Sequence, residues 1–391
     1  MNNSLLRANP SQEPGRILVR GVNWLGDAVM TTPALLRLHE RFPRAYIALL
    51  THEKLAGLWK RNSDLNEILT FSAKENPWSI GRRLRALHFD LAVVLPNSPR
   101  SALEVWWARI PKRIGYARPW RNFFLSETVS SEAGGMKKRA PGEIRRLIGS
   151  AAQTAKNSSV VEAQVTQPNG SEFLAHHVRV YLRLISVLGA RSELLAPKLV
   201  VGDDELQTAQ ATLIANTTSS SEASDKPVWM GLNPSAAYGP AKRWPAENFA
   251  AAIRAISLKV GVCRWLAFGG PEDAILCDKI AGMAGVNLIN LAGKTSLREL
   301  MSFLKLCRVL LTNDSGPMHL AAALGTTVVV PFGSTSPELT GPGLPGDNRH
   351  FLLRANVPCS PCFRRTCPID MRCMTGISVE RVVESSLLAL K

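Results

Sequence analysis

Short apolar runs alternate along the chain with longer stretches of helical spacing. In the first half, Arg16–Arg20, Tyr46–Leu50, Phe89–Pro96 and Arg113–Tyr116 read as strands. In the second half, Val228–Leu232, Arg264–Phe268, Asn287–Leu291, the buried run Val309-Leu310-Leu311 and Thr327–Phe332 read the same way. The clearest helix between them spans Val178 to Leu188. Strands alternating with helices predict an α/β protein with parallel, doubly wound sheets. Such sheets gather their ligands beyond the carboxyl ends of the strands.

The strand ends are where the sequence turns polar and rich in Gly and Pro. Asn23-Trp24-Leu25-Gly26-Asp27 follows the first strand, and Asn97-Ser98-Pro99-Arg100 follows a later one. In the second half come Asn233 to Pro245, Gly269-Gly270-Pro271-Glu272-Asp273, Ala292 to Ser296, and Asn313-Asp314-Ser315-Gly316-Pro317-Met318-His319. These four are expected to converge on one cleft. In the last of them, Asp314 or Ser315 suits a helix cap, Pro317 its first turn and Gly325 its stop. A strand, a tight turn and a helix start together aim backbone N–H groups at a phosphate. Gly21 and Gly26 fall short of the full dinucleotide fingerprint, which argues against a nicotinamide oxidoreductase.

The alternation lapses over about 130–172, which holds Gly134-Gly135 and the basic run Lys137-Lys138-Arg139. It reads as a mobile insertion. A second, Ser-rich loop runs from Asn216 to Ser224, and Ala196-Pro197-Lys198 marks a linker. The expected domains are therefore 1–197 and 198–391.

A chain of 391 residues, 46% hydrophobic and 20% charged, can bury two full cores. Its net charge of +16 is lopsided: residues 1–200 carry 29 Lys and Arg against 15 Asp and Glu, and the remainder 18 against 16. The first half therefore expects an anionic partner, whether nucleic acid, an acidic membrane face or a phosphorylated substrate. Six of the nine Trp also lie there, Trp106-Trp107 among them, and amphipathic rings beside Arg suit a membrane interface as well as a core. No apolar run reaches the roughly 18 residues a bilayer span needs, and no signal-peptide core opens the chain, so a cytoplasmic location is expected. Nucleic-acid motifs are missing, which leaves a basic nucleic-acid-binding protein as the alternative from another class. Cys359-x2-Cys362-x4-Cys367-x5-Cys373 could hold a structural zinc, although the spacing matches no standard finger, and unpaired loop thiols are the plainer reading.

Lys242 offers a mobile positive charge, Asp273 or Glu272 can accept from ribose hydroxyls, and the Ser315-Gly316 turn supplies N–H donors. Asp27 could face the same cleft or simply cap the helix that follows it. His319, one turn into its helix, reads equally as a donor-site ligand or a packed neutral histidine. A nucleotide half beside a basic half is what a sugar-nucleotide glycosyltransferase needs.

Three stretches resemble a known family. They are Asn23-Trp24-Leu25-Gly26-Asp27, the run from Gly231-Leu232-Asn233-Pro234 to Ala241-Lys242-Arg243-Trp244-Pro245, and Asn313-Asp314-Ser315-Gly316-Pro317-Met318-His319. In that order they look like the lipopolysaccharide heptosyltransferases, closest to the heptosyltransferase II branch, with heptosyltransferase I and other core heptosyltransferases as alternatives. The resemblance covers nearly all of the chain outside 130–172 and the Ser-rich loop. It implies a glycosyltransferase B fold, two Rossmann-like domains facing a central cleft. Residues 1–197 would bind the acceptor and 198–391 the ADP-heptose, with the last helix packing back on the first domain. Asp27 would be the catalytic base. The donor would meet Asn233, Ser235 (where the pattern expects Gly), Lys242, Asp273, Thr295, Asp314, Ser315, Gly316 and His319. Asn97, Arg100 and Arg113 are acceptor candidates. The implied acceptor is the first heptose of a phosphorylated Kdo–lipid A core, met by a peripheral enzyme at the cytoplasmic face of the inner membrane. No cofactor is expected for catalysis and no nucleic acid as partner.

Overall fold

In a computed structural model of the protein, residues 13–130, 138–154, 176–215 and 227–391 are described. Twelve strands among them form two six-stranded sheets. The first contains β1 (Arg16–Arg20), β2 (Tyr46–His52), β3 (Glu67–Phe71), β4 (Leu91–Val94), β5 (Lys112–Tyr116) and β6 (Glu127–Val129). Its order is β3-β2-β1-β4-β5-β6, and every pairing is parallel. The second contains β7 (Val228–Asn233), β8 (Cys263–Ala267), β9 (Leu288–Asn290), β10 (Val309–Thr312), β11 (Thr327–Phe332) and β12 (Phe351–Arg354), in the order β12-β11-β10-β7-β8-β9 and again all parallel.

The central strands are those that the apolar runs predict, because a strand covered on both faces has no solvent side to make polar. Ile17, Leu18 and Val19 of β1 and Val309, Leu310 and Leu311 of β10 are buried. The strands that the runs do not announce, β3, β6 and β12, all lie at sheet edges. Glu67 and Thr70 in β3, and Glu127 and Thr128 in β6, break the apolar pattern that a central position would impose.

The chain divides into two compact units that no single cut separates. One takes Met1–Asn23, Pro33–Glu132 and Tyr181–Glu193; the other takes Trp24–Thr32, Ala133–Val180 and Leu194–Lys391. The second unit has its own core around Phe249, Ile253, Trp265, Leu311, Val329 and Met374. The first packs Leu18, Ile80, Leu84, Val94 and Val105.

The helix Val379–Leu388 buries Val382 and Val383 in the core of the second unit, against the helix Ala246–Val260. One expectation needs correction here. The lapse expected over about 130–172 contains a helix, Pro141–Thr154. Pro141 suits a first turn, and Ile144 and Ile148 fall four apart on one face, where they pack against Cys359 and Cys362. Residues 131–137 and 155–175, and the Ser-rich loop 216–226, lie outside the described residues.

Candidate active site

The second unit brings β7 and β10 to an end side by side, with Thr312 paired to Asn233. Asn233 is buried, and its side-chain amide donates to Thr312 Oγ1 at 3.1 Å, Ser315 Oγ at 3.0 Å and the Ser235 carbonyl at 3.3 Å. Asn313 ties the neighbouring loops together in the same way. Its amide donates to the Pro234 carbonyl at 2.7 Å, and its oxygen accepts from the Trp244 N–H at 3.0 Å. Two strand-end asparagines therefore fix the loop 234–245 against the turn 313–316. Ser315 stands at the N-cap of the helix Gly316–Ala323 without a side-chain cap bond, its hydroxyl being held by Asn233.

Lys242 lies inside this frame. Its ammonium is 2.5 Å from Asp314 Oδ2 and 4.9 Å from the centre of the Tyr238 ring. The same Asp314 oxygen accepts from Thr335 Oγ1 at 2.5 Å. Gly239, at φ 153°, lets the loop run so close to the Arg365 carbonyl that a side chain there would collide with it, and the Ala241 N–H donates to that carbonyl at 3.0 Å. The lysine is thus on a held turn rather than a loose one.

Asp27 belongs to the same compact unit. The helix Leu25–Met30 packs on the helix Gly316–Ala323 through two glycines. A Cβ on Gly26 would lie 2.6 Å from His319 Cδ2, and one on Gly316 would lie 2.9 Å from Leu25 Cδ2. His319 is buried between them, and desolvation holds its pKa down to about 4, so the ring is neutral at physiological pH. Asp27 itself stays partly open, its side chain 28% exposed, with His177 Nδ1 at 3.4 Å from Oδ1.

Other candidates are less concentrated. Asp273 is buried, and one oxygen of its carboxylate accepts from the Gly270 N–H at 2.9 Å, which closes the turn after β8. Glu272, at the same turn, is exposed. Thr295 is half-buried one residue before the N-cap Ser296 of the helix Leu297–Leu306. In the first unit, Asn97 follows β4 and accepts from Arg121 Nη1 at 3.2 Å. Arg100 reaches the Glu75 carbonyl and the Glu104 carboxylate, 3.2 Å away. Arg113 opens β5, at the edge opposite the strand ends, and its guanidinium bonds the Phe124, Ile110 and Pro111 carbonyls. The structure therefore does not bring Arg113 together with Asn97.

Four residues escape the sequence reading. Thr335 stands in the polar Gly333-Ser334-Thr335-Ser336 end of β11, which the strand-end rule reaches when applied once more. Asn313 differs from its neighbours only by what it ties together. His177 opens the helix His177–Ser186 at the border of the weakly patterned region. Arg121 gives no signal. It is fully buried, burial lowers its pKa to about 10, and Nε and Nη2 find no hydrogen-bond partner among the described residues.

All seven cysteines are free thiols, and Cys359, Cys362 and Cys373 are buried. Burial with the neighbouring sulfurs pushes Cys373 up to about 12. Among the described residues no three His, Cys, Asp or Glu side chains are grouped so as to hold a metal ion. The Cys362 and Phe363 N–H groups donate to the Ser334 carbonyl, so this segment backs the loop that carries Thr335.

Two doubly wound parallel sheets, with a lysine and a carboxylate at the strand ends of the second, match the B-fold class of glycosyltransferases. The chain belongs to glycosyltransferase family 9, the heptosyltransferases, whose model matches residues 144–372. It is 30% identical over 339 residues to the lipopolysaccharide heptosyltransferase 2 of Escherichia coli K12, covering 84% of this chain and 85% of the relative. To the lipooligosaccharide heptosyltransferase 2 of Haemophilus ducreyi it is 29% identical over 340 residues, 84% and 86% of the two chains. The solved structure of the E. coli ADP-heptose lipopolysaccharide heptosyltransferase II superimposes with a TM-score of 0.70 at 26% identity, covering 96% of this chain and 98% of that one.

Proposed function

We propose that the protein moves L-glycero-D-manno-heptose from ADP-heptose to the first heptose of the phosphorylated Kdo–lipid A inner core, with inversion. One observation carries this reading: Asp27 and the Lys242–Asp314 pair belong to one compact unit, joined by the glycine-mediated packing of their two helices. The names of the two relatives compared above, both heptosyltransferase 2, favour the second heptose over the first.

The residues have distinct tasks in this reaction. The Asp27 carboxylate takes the proton of the acceptor hydroxyl as that oxygen attacks the anomeric carbon. Lys242 exchanges Asp314 for the donor diphosphate and stabilises the charge that develops as ADP leaves. The N–H groups at the start of the helix Gly316–Ala323 face the same phosphates. Asp314 and Thr335, freed of the lysine, are hydrogen-bond partners for the donor sugar, and Glu272 or Asp273 for the ribose. Asn97 and Arg100 offer the first unit's contacts to an anionic acceptor. Acidic groups on that acceptor suit the excess of Lys and Arg in residues 1–200. Peripheral residence on the inner membrane fits a lipid-borne acceptor, and no helix among the described residues is long and apolar enough to cross a membrane. A structural zinc at Cys359, Cys362, Cys367 and Cys373 is a separate proposal resting on spacing alone, decided by metal analysis of the purified protein.

Two substitutions test the roles. Asp27→Asn is expected to abolish transfer while leaving ADP affinity within a few-fold; near-wild-type turnover would remove Asp27 as the base. Lys242→Ala is expected to weaken donor binding and turnover together, and unchanged kinetics would take it out of the site.

A further inference from the structure

The first unit carries a feature that the transfer chemistry does not use. The helices Pro77–Arg85 and Pro99–Trp107 pack together, and beside their last turns lies a cavity of about 640 Å³. It is lined by Arg82, Arg85, Trp106, Trp107, Arg109 and Arg113. These residues sit toward the amino ends of the strands, at the sheet edge opposite Asn97. No acidic residue lines the cavity, and Arg82, Arg85 and Arg109 are exposed with no ion pair among the described residues.

Aromatic rings continue the surface on both sides. Trp78 packs on Trp107 with centroids 4.2 Å apart, and Trp106 packs on Phe124 at 5.6 Å and Phe123 at 6.3 Å. Trp78, Trp107 and Phe123 remain exposed, Phe123 by 79%. A contiguous apolar patch of this kind is costly on a surface that meets only water.

We infer that this tryptophan–arginine face docks on an anionic phospholipid bilayer. Indole rings suit the boundary between headgroups and acyl chains, and clustered arginines beside them meet lipid phosphates. The alternative for a basic aromatic face is single-stranded nucleic acid, which needs ring faces open for stacking. Here the Trp78–Trp107 and Trp106–Phe124 pairs meet edge to face, at 73° and 66°, and cover one another. This inference rests on the membrane residence proposed above and adds the face that makes the contact. None of the residues lining the cavity is one of the proposed acceptor contacts Asn97 and Arg100.

The test is sedimentation of the full chain with phosphatidylglycerol-containing and pure phosphatidylcholine vesicles. Wild-type protein is expected to bind the anionic vesicles in a salt-sensitive way, with a blue shift in tryptophan emission. The triple variant Arg82→Gln, Arg85→Gln, Arg109→Gln removes exposed charge without opening the core. Losing about 1 kcal/mol for each arginine lowers its partition roughly 100-fold. Trp78→Ser provides a second variant, expected to reduce binding and the emission shift. Equal partition of wild type and triple variant would overturn the inference, as would binding to a single-stranded oligonucleotide with none to vesicles. ADP release with a de-acylated, water-soluble acceptor separates the two readings. The triple variant is expected to match wild type there, whereas failure of the wild type would sink the transfer reaction and leave the vesicle result standing.

Discussion

Gly26 has no side chain because His319 fills the space where one would lie, and that contact sets where Asp27 stands. The motif around Asp27 was legible in the sequence, as were Lys242, Asp314 and the turn that follows. What the sequence withheld was the pairing of these residues: Lys242 on Asp314, and His319 on Gly26. Separations of 72 and 293 residues along the chain say which strand ends are polar, but not which side chains on them touch. His319, open between two readings, packs as a buried neutral ring against the Asp27 helix. Gly26→Ala is accordingly expected to cost about 1–3 kcal/mol through overpacking. It should also lower kcat, since Asp27 must shift with its helix. Denaturant melts and ADP-release kinetics check both, and an unchanged variant would show that the helix contact does not set the base.

At the scale of elements, the central strands were readable because burial on both faces forces a continuous apolar run. Three of the four edge strands, β3, β6 and β12, were not; in β3 and β6 the open side admits Glu and Thr. The helix Pro141–Thr154 was obscured by the polar, glycine-containing sequence before it, although Ile144 and Ile148 announce one face. That helix and the cysteine segment stabilise each other: Ile144 buries against Cys359 and Cys362, and Arg139 donates to the Pro358 carbonyl at 2.7 Å. Ile144→Ala is expected to cost about 2–5 kcal/mol, the range for a buried branched side chain truncated in a packed core. Because the segment backs the loop of Thr335, donor affinity should fall as well. A melting curve with and without ADP measures both effects; a loss below about 0.5 kcal/mol, the scale of surface substitutions, would mean the helix is not packed there.

For the whole molecule, three buried histidines make stability depend on pH in a definite direction. Desolvation holds His176, His319 and His350 down to about 4, all in the second unit. In the unfolded chain each would take its proton near the ordinary histidine value of 6.5. Between those limits the unfolded state binds more protons, so stability rises with pH there. It is fully present above about pH 6.5 and is lost as pH falls toward 4, by up to about 1.4 kcal/mol per pH unit for each histidine. Unfolding free energies at pH 7 and pH 5 for wild type and His350→Gln isolate one such contribution. The variant is expected to show the shallower decline, and an identical one would place His350 in a solvated site.

The division of charge, with a basic first half and a nearly balanced second, was visible in composition alone. The division into units was not, because Trp24–Thr32 crosses from one to the other by packing rather than by chain position. That crossing places the proposed base with the donor site, and the proposed reaction depends on it. The most direct measurement is ADP release from ADP-heptose with acceptors that carry either no heptose or one. The account predicts release with the one-heptose Kdo–lipid A acceptor and none with the heptose-free form. Release only with the heptose-free acceptor, or with neither, would contradict it.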